Sequence, residues 1–190
     1  MFWIINDLIP DTMKTKLALL FSLLLLLPGC DWLDKATEVT ISTNLTCDIP
    51  IVIGGSKSAD LITEVAAPFN GSAVLSLDDN PDIADYLDKI REITLQSVVI
   101  TVNGLTAGQA VTTVTVEISG VGVLGTQTNI SSTSNSFTPA VNANVYGAAE
   151  QKLLADQSIT VTAYGNATGE PMSFTVHCNF TTDVVAGALD

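Results

Sequence analysis

His177 is the only histidine in the chain, and Cys178 follows it directly. A cysteine beside a histidine suggests a nucleophile with its base, but neighbours in an extended strand point to opposite faces. The pair therefore reads as a surface histidine next to a structural cysteine. One histidine and so few cysteines leave no zinc or iron site of ordinary type.

The densest acidic stretch is Asp78-Asp79-Asn80-Pro81-Asp82, with Asp85 and Asp88 beyond it. Calcium takes six to eight hard oxygens, and Asp78, Asp79 and Asp82 are the candidate ligands. The stretch lacks the alternating spacing, turn glycine and closing glutamate of an EF-hand loop. Helix-start chemistry is the stronger reading and calcium the weaker one; no other cofactor is indicated. A glycosidase would need two carboxyls across a cleft. Acids are plentiful, but their pairing cannot be read from sequence. No G-x-S-x-G elbow, phosphate loop or dinucleotide fingerprint occurs. Tyr146 and Tyr164 are the candidate ligand-facing aromatics, with core or sheet-surface packing as the plainer alternative; Tyr146 is placed in a loop.

These residues must be positioned by strands. Val, Ile, Thr, Ser, Asn and Gly are abundant and aromatics few, which points to an all-β protein with many turns. Strand signals lie at Glu38–Cys47, Ile49–Ile53, Ala73–Leu77, Thr94–Val102, Val111–Ile118, Ile159–Tyr164 and Met172–Thr181. Turn signals are Gly54-Gly55, Asn70-Gly71, Asn103-Gly104, Gly120 and Gly165-Asn166. Val98, Ile100 and Val102 share one face, as do Val114, Val116 and Ile118; Thr113, Thr115 and Glu117 share the other. Gly120–Gly125 predicts a bent strand or bulge, and Thr126–Thr138 either a mobile loop or an edge strand. One helix is well signed: Asn80 caps it, Pro81 opens it, and Ile83, Tyr86, Leu87 and Ile90 form its apolar stripe. A second short helix covers Ala148–Ala155. The expected fold is an antiparallel β-sandwich of about seven or eight strands with one short helix.

The beginning of the chain carries a different signal. Lys14 and Lys16 precede an apolar run from Leu17 to Leu27, too short to span a bilayer of roughly 30 Å. Leu27-Pro28-Gly29-Cys30 resembles the lipobox of bacterial lipoproteins, although proline two positions before the cysteine departs from the usual choice. The resemblance implies cleavage before Cys30 and lipidation of that cysteine, so that the protein's first partner is a membrane. Residues 1–12 then read as an unused upstream start, 13–29 as signal peptide, 30–36 as a tether, 37–183 as the sandwich domain and 184–190 as a C-terminal tail. Asp31 resembles an inner-membrane retention signal in enterobacteria, whereas the acidic stretch Asp31–Asp34 resembles a surface-export signal in other phyla. The outer membrane is favoured over the inner. The mature chain also resembles all-β envelope lipoproteins of the Bacteroidota, with no motif that carries a functional residue over.

After Gly29, 161 residues remain, one domain's worth, with 18 acidic and five basic residues and a net charge of −13. That balance argues against nucleic acid and against adsorption to anionic lipid. With Cys30 lipidated, Cys47 and Cys178 are left as an even pair in an exported protein. Both fall on the apolar phase of their strands. The expectation is a disulfide between the first and last strands, closing about 130 residues and contributing roughly 5 kcal/mol in the chain-entropy model. Two free buried thiols are the alternative. The functional expectation is a membrane-anchored, non-catalytic envelope lipoprotein that serves a structural role or binds a protein partner in the envelope. A glycan-binding surface module is the alternative, and an envelope hydrolase the second alternative.

Overall fold

The computed structural model describes residues 38–54, 66–168 and 171–188. The expectations for residues 1–36, Cys30 included, lie outside the described residues, as does Gly55.

Eight strands form in chain order: β1 (Glu38–Ile53), β2 (Ala67–Ser76), β3 (Ile90–Asn103), β4 (Ala110–Ile118), β5 (Gly122–Ser131), β6 (Ser136–Phe137), β7 (Ser158–Thr168) and β8 (Met172–Gly187). They make two four-stranded sheets, in the orders β1-β8-β3-β6 and β2-β7-β4-β5. All pairings are antiparallel. β1 pairs with β8, β2 with β7, β3 with β6 and β4 with β5, as though one long hairpin had been folded over itself. That is the jelly-roll form of the β-sandwich.

The alternation of Val and Ile with Thr and Ser dictates the layers. Leu45, Ile49 and Ile51 of β1, Val98, Ile100 and Val102 of β3, and Phe174, Val176 and Phe180 of β8 are buried on the inner face of the first sheet. Val114, Val116 and Ile118 of β4 and Val161 and Ala163 of β7 meet them from the second. The Phe69 and Phe174 rings pack edge to face at 5.2 Å. Each such valine, leucine, isoleucine or phenylalanine contributes about 1.5–3 kcal/mol by leaving water.

Several expectations shift at this level. Glu38–Cys47 and Ile49–Ile53 are one strand. Pro50 sits inside it without penalty because β1 is an edge strand, and proline has no ladder donor to lose there. The expected tail from residue 184 is strand as far as Gly187, and Val184 and Ala186 are buried against neighbouring strands. Asn70-Gly71 and Gly165-Asn166 lie within β2 and β7 rather than at turns. Gly165 serves close approach: a Cβ there would lie 1.9 Å from the Thr113 carbonyl oxygen. The register shift between Val111 and Thr113 sets a bulge opposite it. The Gly-rich stretch is bent as expected, with a register shift where Val116 and Glu117 face Gly125 and Val123. Of Thr126–Thr138, the first part is edge strand β5.

The two helices exchange weight. The well-signed segment forms only a 3-10 helix over Ala84–Lys89. Asn80 Oδ1 accepts from the Asp82 amide at 2.9 Å, closing a tight turn, and β3 claims the chain from Ile90 by pairing it with β8. The second becomes α1, Ala143–Asp156. The Asn142 side chain caps it, accepting from the Asn144 and Val145 amides, and Gln157 ends it in the left-handed conformation at φ 56°. Tyr146, Ala149 and Leu153 form its buried stripe. α1 lies along β3, where β6 pairs with only Ile100 and Thr101. Its Glu150 carboxylate accepts from the Leu95 amide at 2.8 Å, beside the β3 bulge between Leu95 and Ser97. A helix thus covers an edge that the short strand leaves open.

Candidate functional site

The acidic stretch follows β2 at one end of the sandwich. A shallow pocket of about 150 Å³ opens there, lined by Asn44, Leu45, Thr46, Ser76, Asp79, Asn80 and Pro81. Its polar groups are occupied in holding the loop. Asn80 Nδ2 donates to Thr43 Oγ1 at 3.1 Å and to the Asn44 carbonyl at 2.9 Å. Thr43 Oγ1 donates to Asp82 Oδ2 at 2.7 Å, and Ser76 Oγ to Asp78. Among the described residues no group of three or more His, Cys, Asp or Glu side chains is placed to hold a metal ion. Asp78, Asp79 and Asp82 are not brought together as such a group. Two of the three carboxylates are drawn to hydroxyls on different strands, which fastens the loop to β1 and β2.

Cys47 and Cys178 are direct partners in the β1–β8 ladder, on inward-facing positions as expected. The disulfide is not formed: both are free, buried thiols. The Cys47 sulfur beside it, burial, and the charge of nearby Asp48 push the Cys178 thiol up, so neither a nucleophile nor a metal ligand is prepared there. On the other face of the same strands, His177 Nδ1 and Asp48 Oδ1 lie 2.8 Å apart. Thr101 follows His177 across the sheet, and Ser136 follows Thr101, their hydroxyls 3.1 Å apart. Acid, histidine and hydroxyls share one row, but the histidine and Thr101 are not hydrogen-bonded to each other.

The two tyrosines part company. Tyr146 belongs to α1 and is 3% exposed, so it faces the core and not a ligand. Burial pushes its phenol up, and its hydroxyl, near the Val98 backbone, has no hydrogen-bond partner. Tyr164 is 37% exposed on the outer face of β7, and its hydroxyl donates to Glu117 Oε2 at 3.5 Å.

Around Tyr164 lies a surface that residue-by-residue reading missed. On β5 and β4, Thr126 faces Thr115 and Thr128 faces Thr113. On β7, Tyr164 faces Thr115, and Thr162 faces Glu117. Asn70 and Ser72 of β2 complete these rows. Thr115 and Thr126 hydroxyls are 3.0 Å apart, as are those of Ser119 and Thr162. The four strands of this sheet contain one ionisable acid or base of ordinary pH, Glu117, in a chain that is 14% charged. The signal was present as Thr-x-Thr at Thr113, Thr126 and Thr160, but strand propensity alone explains threonine in strands.

The fold and surface together define an all-β sandwich domain with a hydroxyl-rich outer sheet. No family model and no curated protein matches the chain. Among solved structures it is similar to Desmodium yellow mottle tymovirus, at 11% identity over 80% of this chain and 91% of that one, with a TM-score of 0.38. It is also similar to a nora virus structure, at 12% identity over 80% of this chain and 61% of that one, with a TM-score of 0.37. Likenesses of that size say nothing about what this chain binds.

Proposed function

We propose that the chain is a lipid-anchored, non-catalytic module of the bacterial cell envelope, tethered through Cys30, with the outer membrane favoured over the inner, and presenting its sandwich to an envelope protein or matrix. The observation that carries the reading is the order of signals at the beginning of the chain: Lys14 and Lys16, the apolar run to Leu27, and Leu27-Pro28-Gly29-Cys30. Cys30 lies eight positions ahead of Glu38, where the first strand begins. Two or more acyl chains on one terminus anchor stably, each buried methylene contributing about 0.8 kcal/mol. The acidic body, at net −13, is repelled by anionic headgroups and so favours standing off the bilayer.

Mass spectrometry of the mature protein extracted from membranes tests this. The expected amino-terminal peptide begins at Cys30 and carries a diacylglyceryl thioether. A peptide with an unmodified Cys30 overturns the anchor. A hydrolytic activity that follows the purified protein overturns the non-catalytic reading.

A further inference from the structure

We propose that the outer face of the β2-β7-β4-β5 sheet is a binding surface for a neutral polysaccharide, with Tyr164 as its stacking residue. The proposal rests on the non-catalytic binding reading but not on the lipid anchor.

Threonine in solvent-facing strand positions has an ordinary explanation, since a β-branched polar residue suits a half-wet sheet. That explanation does not account for charge. Outward positions of the companion sheet carry Glu38, Asp48, Glu92 and Asp183, and the chain as a whole is strongly acidic. The strands of this sheet hold Glu117 and neither lysine nor arginine. A surface that excludes charge on an acidic protein complements a ligand that is itself uncharged. An anionic polymer would meet repulsion from the rest of the molecule, and a nucleic acid would find no cation.

The chemistry of the face narrows the ligand further. Hydroxyls stand at intervals of about 4.8 Å across strands and roughly 6.8 Å along them, the scale of a sugar ring. Each hydroxyl both donates and accepts, as a sugar hydroxyl does. The Thr115–Thr126 and Ser119–Thr162 pairs orient one another at 3.0 Å, so part of the array is set before a ligand arrives. Thr113, Thr128 and Thr160 extend the same rows. Tyr164 stands between Thr115 on β4 and Asn70 on β2, where an exposed ring can take the apolar face of a sugar. The carboxylate of Glu117 accepts from its hydroxyl, which restrains the ring. The bulge opposite Gly165 locks the backbone next to it.

Affinity electrophoresis of the full chain, in gels containing laminarin, xyloglucan, galactomannan or dextran, tests the proposal, with polygalacturonate as the anionic control. Retardation is expected in at least one neutral gel and not in polygalacturonate. Tyr164→Ala is expected to weaken it by about tenfold, the loss of one aromatic contact, and Thr115→Val with Thr126→Val to weaken it also. Thr101→Ala, on the other sheet, is expected to leave it unchanged. No retardation in any neutral gel overturns the proposal. So does retardation that survives Tyr164→Ala or that falls equally with Thr101→Ala, because the contact would then lie elsewhere. A lipid-modified Cys30 together with any of those results leaves the anchor standing and removes only the polysaccharide.

Discussion

The outer face of the β1-β8-β3-β6 sheet is a network of charge. Asp183 accepts from Ser42 at 2.6 Å and from Gln96, Arg91 pairs with Glu38 at 3.0 Å, and Asp48 meets His177 at 2.8 Å. The β2-β7-β4-β5 face is mostly hydroxyls with the amide of Asn70, one tyrosine, the exposed Val74 and Val123, and one carboxylate. Both faces satisfy the same structural requirement, a polar outer layer over an apolar inner one. The difference between them is therefore not a demand of folding. Among the described residues, acid lies on the first sheet, between β2 and β3 and on α1, while the strands of the second sheet hold only Glu117.

The largest effect that would break the comparison is in the backbone beneath the hydroxyl face. Gly165→Ala places a Cβ 1.9 Å from the Thr113 oxygen and 2.8 Å from its carbonyl carbon, and neither atom can swing away. The expected cost is about 3 kcal/mol or more, measured by urea unfolding. Gly71→Ala meets the end of the Ile51 side chain at 2.5 Å, which can rotate, and is expected to cost about 1 kcal/mol. Equal costs would mean that the β4 bulge yields, and that the face is not held in its rows.

These glycines also show what the sequence carried. The strict alternation of Val114, Val116 and Ile118 against Thr113, Thr115 and Glu117 sets the faces because side chains alternate every residue. The same local reading takes Asn70-Gly71 and Gly165-Asn166 for turns, since a glycine needed for a partner strand's approach looks like one needed for positive φ. The pairing of β1 with β8 depends on chain closure across the molecule, and only the matching phase of Cys47 and Cys178 hinted at it. The hydroxyl face was legible strand by strand. It became a surface once the register placed Thr126 beside Thr115 and Tyr164 beside both.

Beneath the charged face, Cys178→Ser would bury a hydroxyl where a thiol packs, at an expected cost of about 2 kcal/mol. Alkylation of denatured, unreduced protein is expected to label both Cys47 and Cys178; an unlabelled pair would show a bridge instead of free thiols. The pH dependence has a definite sign. Folding raises the Cys178 thiol and the Tyr146 phenol, so the unfolded chain gives up these protons first. Their stabilisation is complete below about pH 8.5, the ordinary thiol value, and is lost as the pH rises further. A melting temperature flat from pH 8 to 11 would contradict it.

On the charged face itself, Asp183→Ala removes the acceptor for Ser42 and Gln96 and is expected to cost about 1 kcal/mol. Asp48→Asn weakens a pair in which the aspartate side chain is 69% exposed, and about 0.5 kcal/mol or less is expected. Urea titrations separate the two. If Asp48 proved the costlier, the His177 row would hold a larger share of the sheet than its exposure implies.

The smallest stability effect is expected on the hydroxyl face, and its smallness is informative. Thr115→Val with Thr126→Val keeps two β-branched side chains in strand positions and removes one hydroxyl–hydroxyl contact of 3.0 Å. Valine matches threonine in strand preference, and the lost contact is open to water, so unfolding free energy should move by no more than about 0.5 kcal/mol. Polysaccharide retardation measured on the same sample should fall. A loss of about 1 kcal/mol or more in stability would instead make the hydroxyl pair a structural brace, and the two outer faces would then differ in means rather than in purpose.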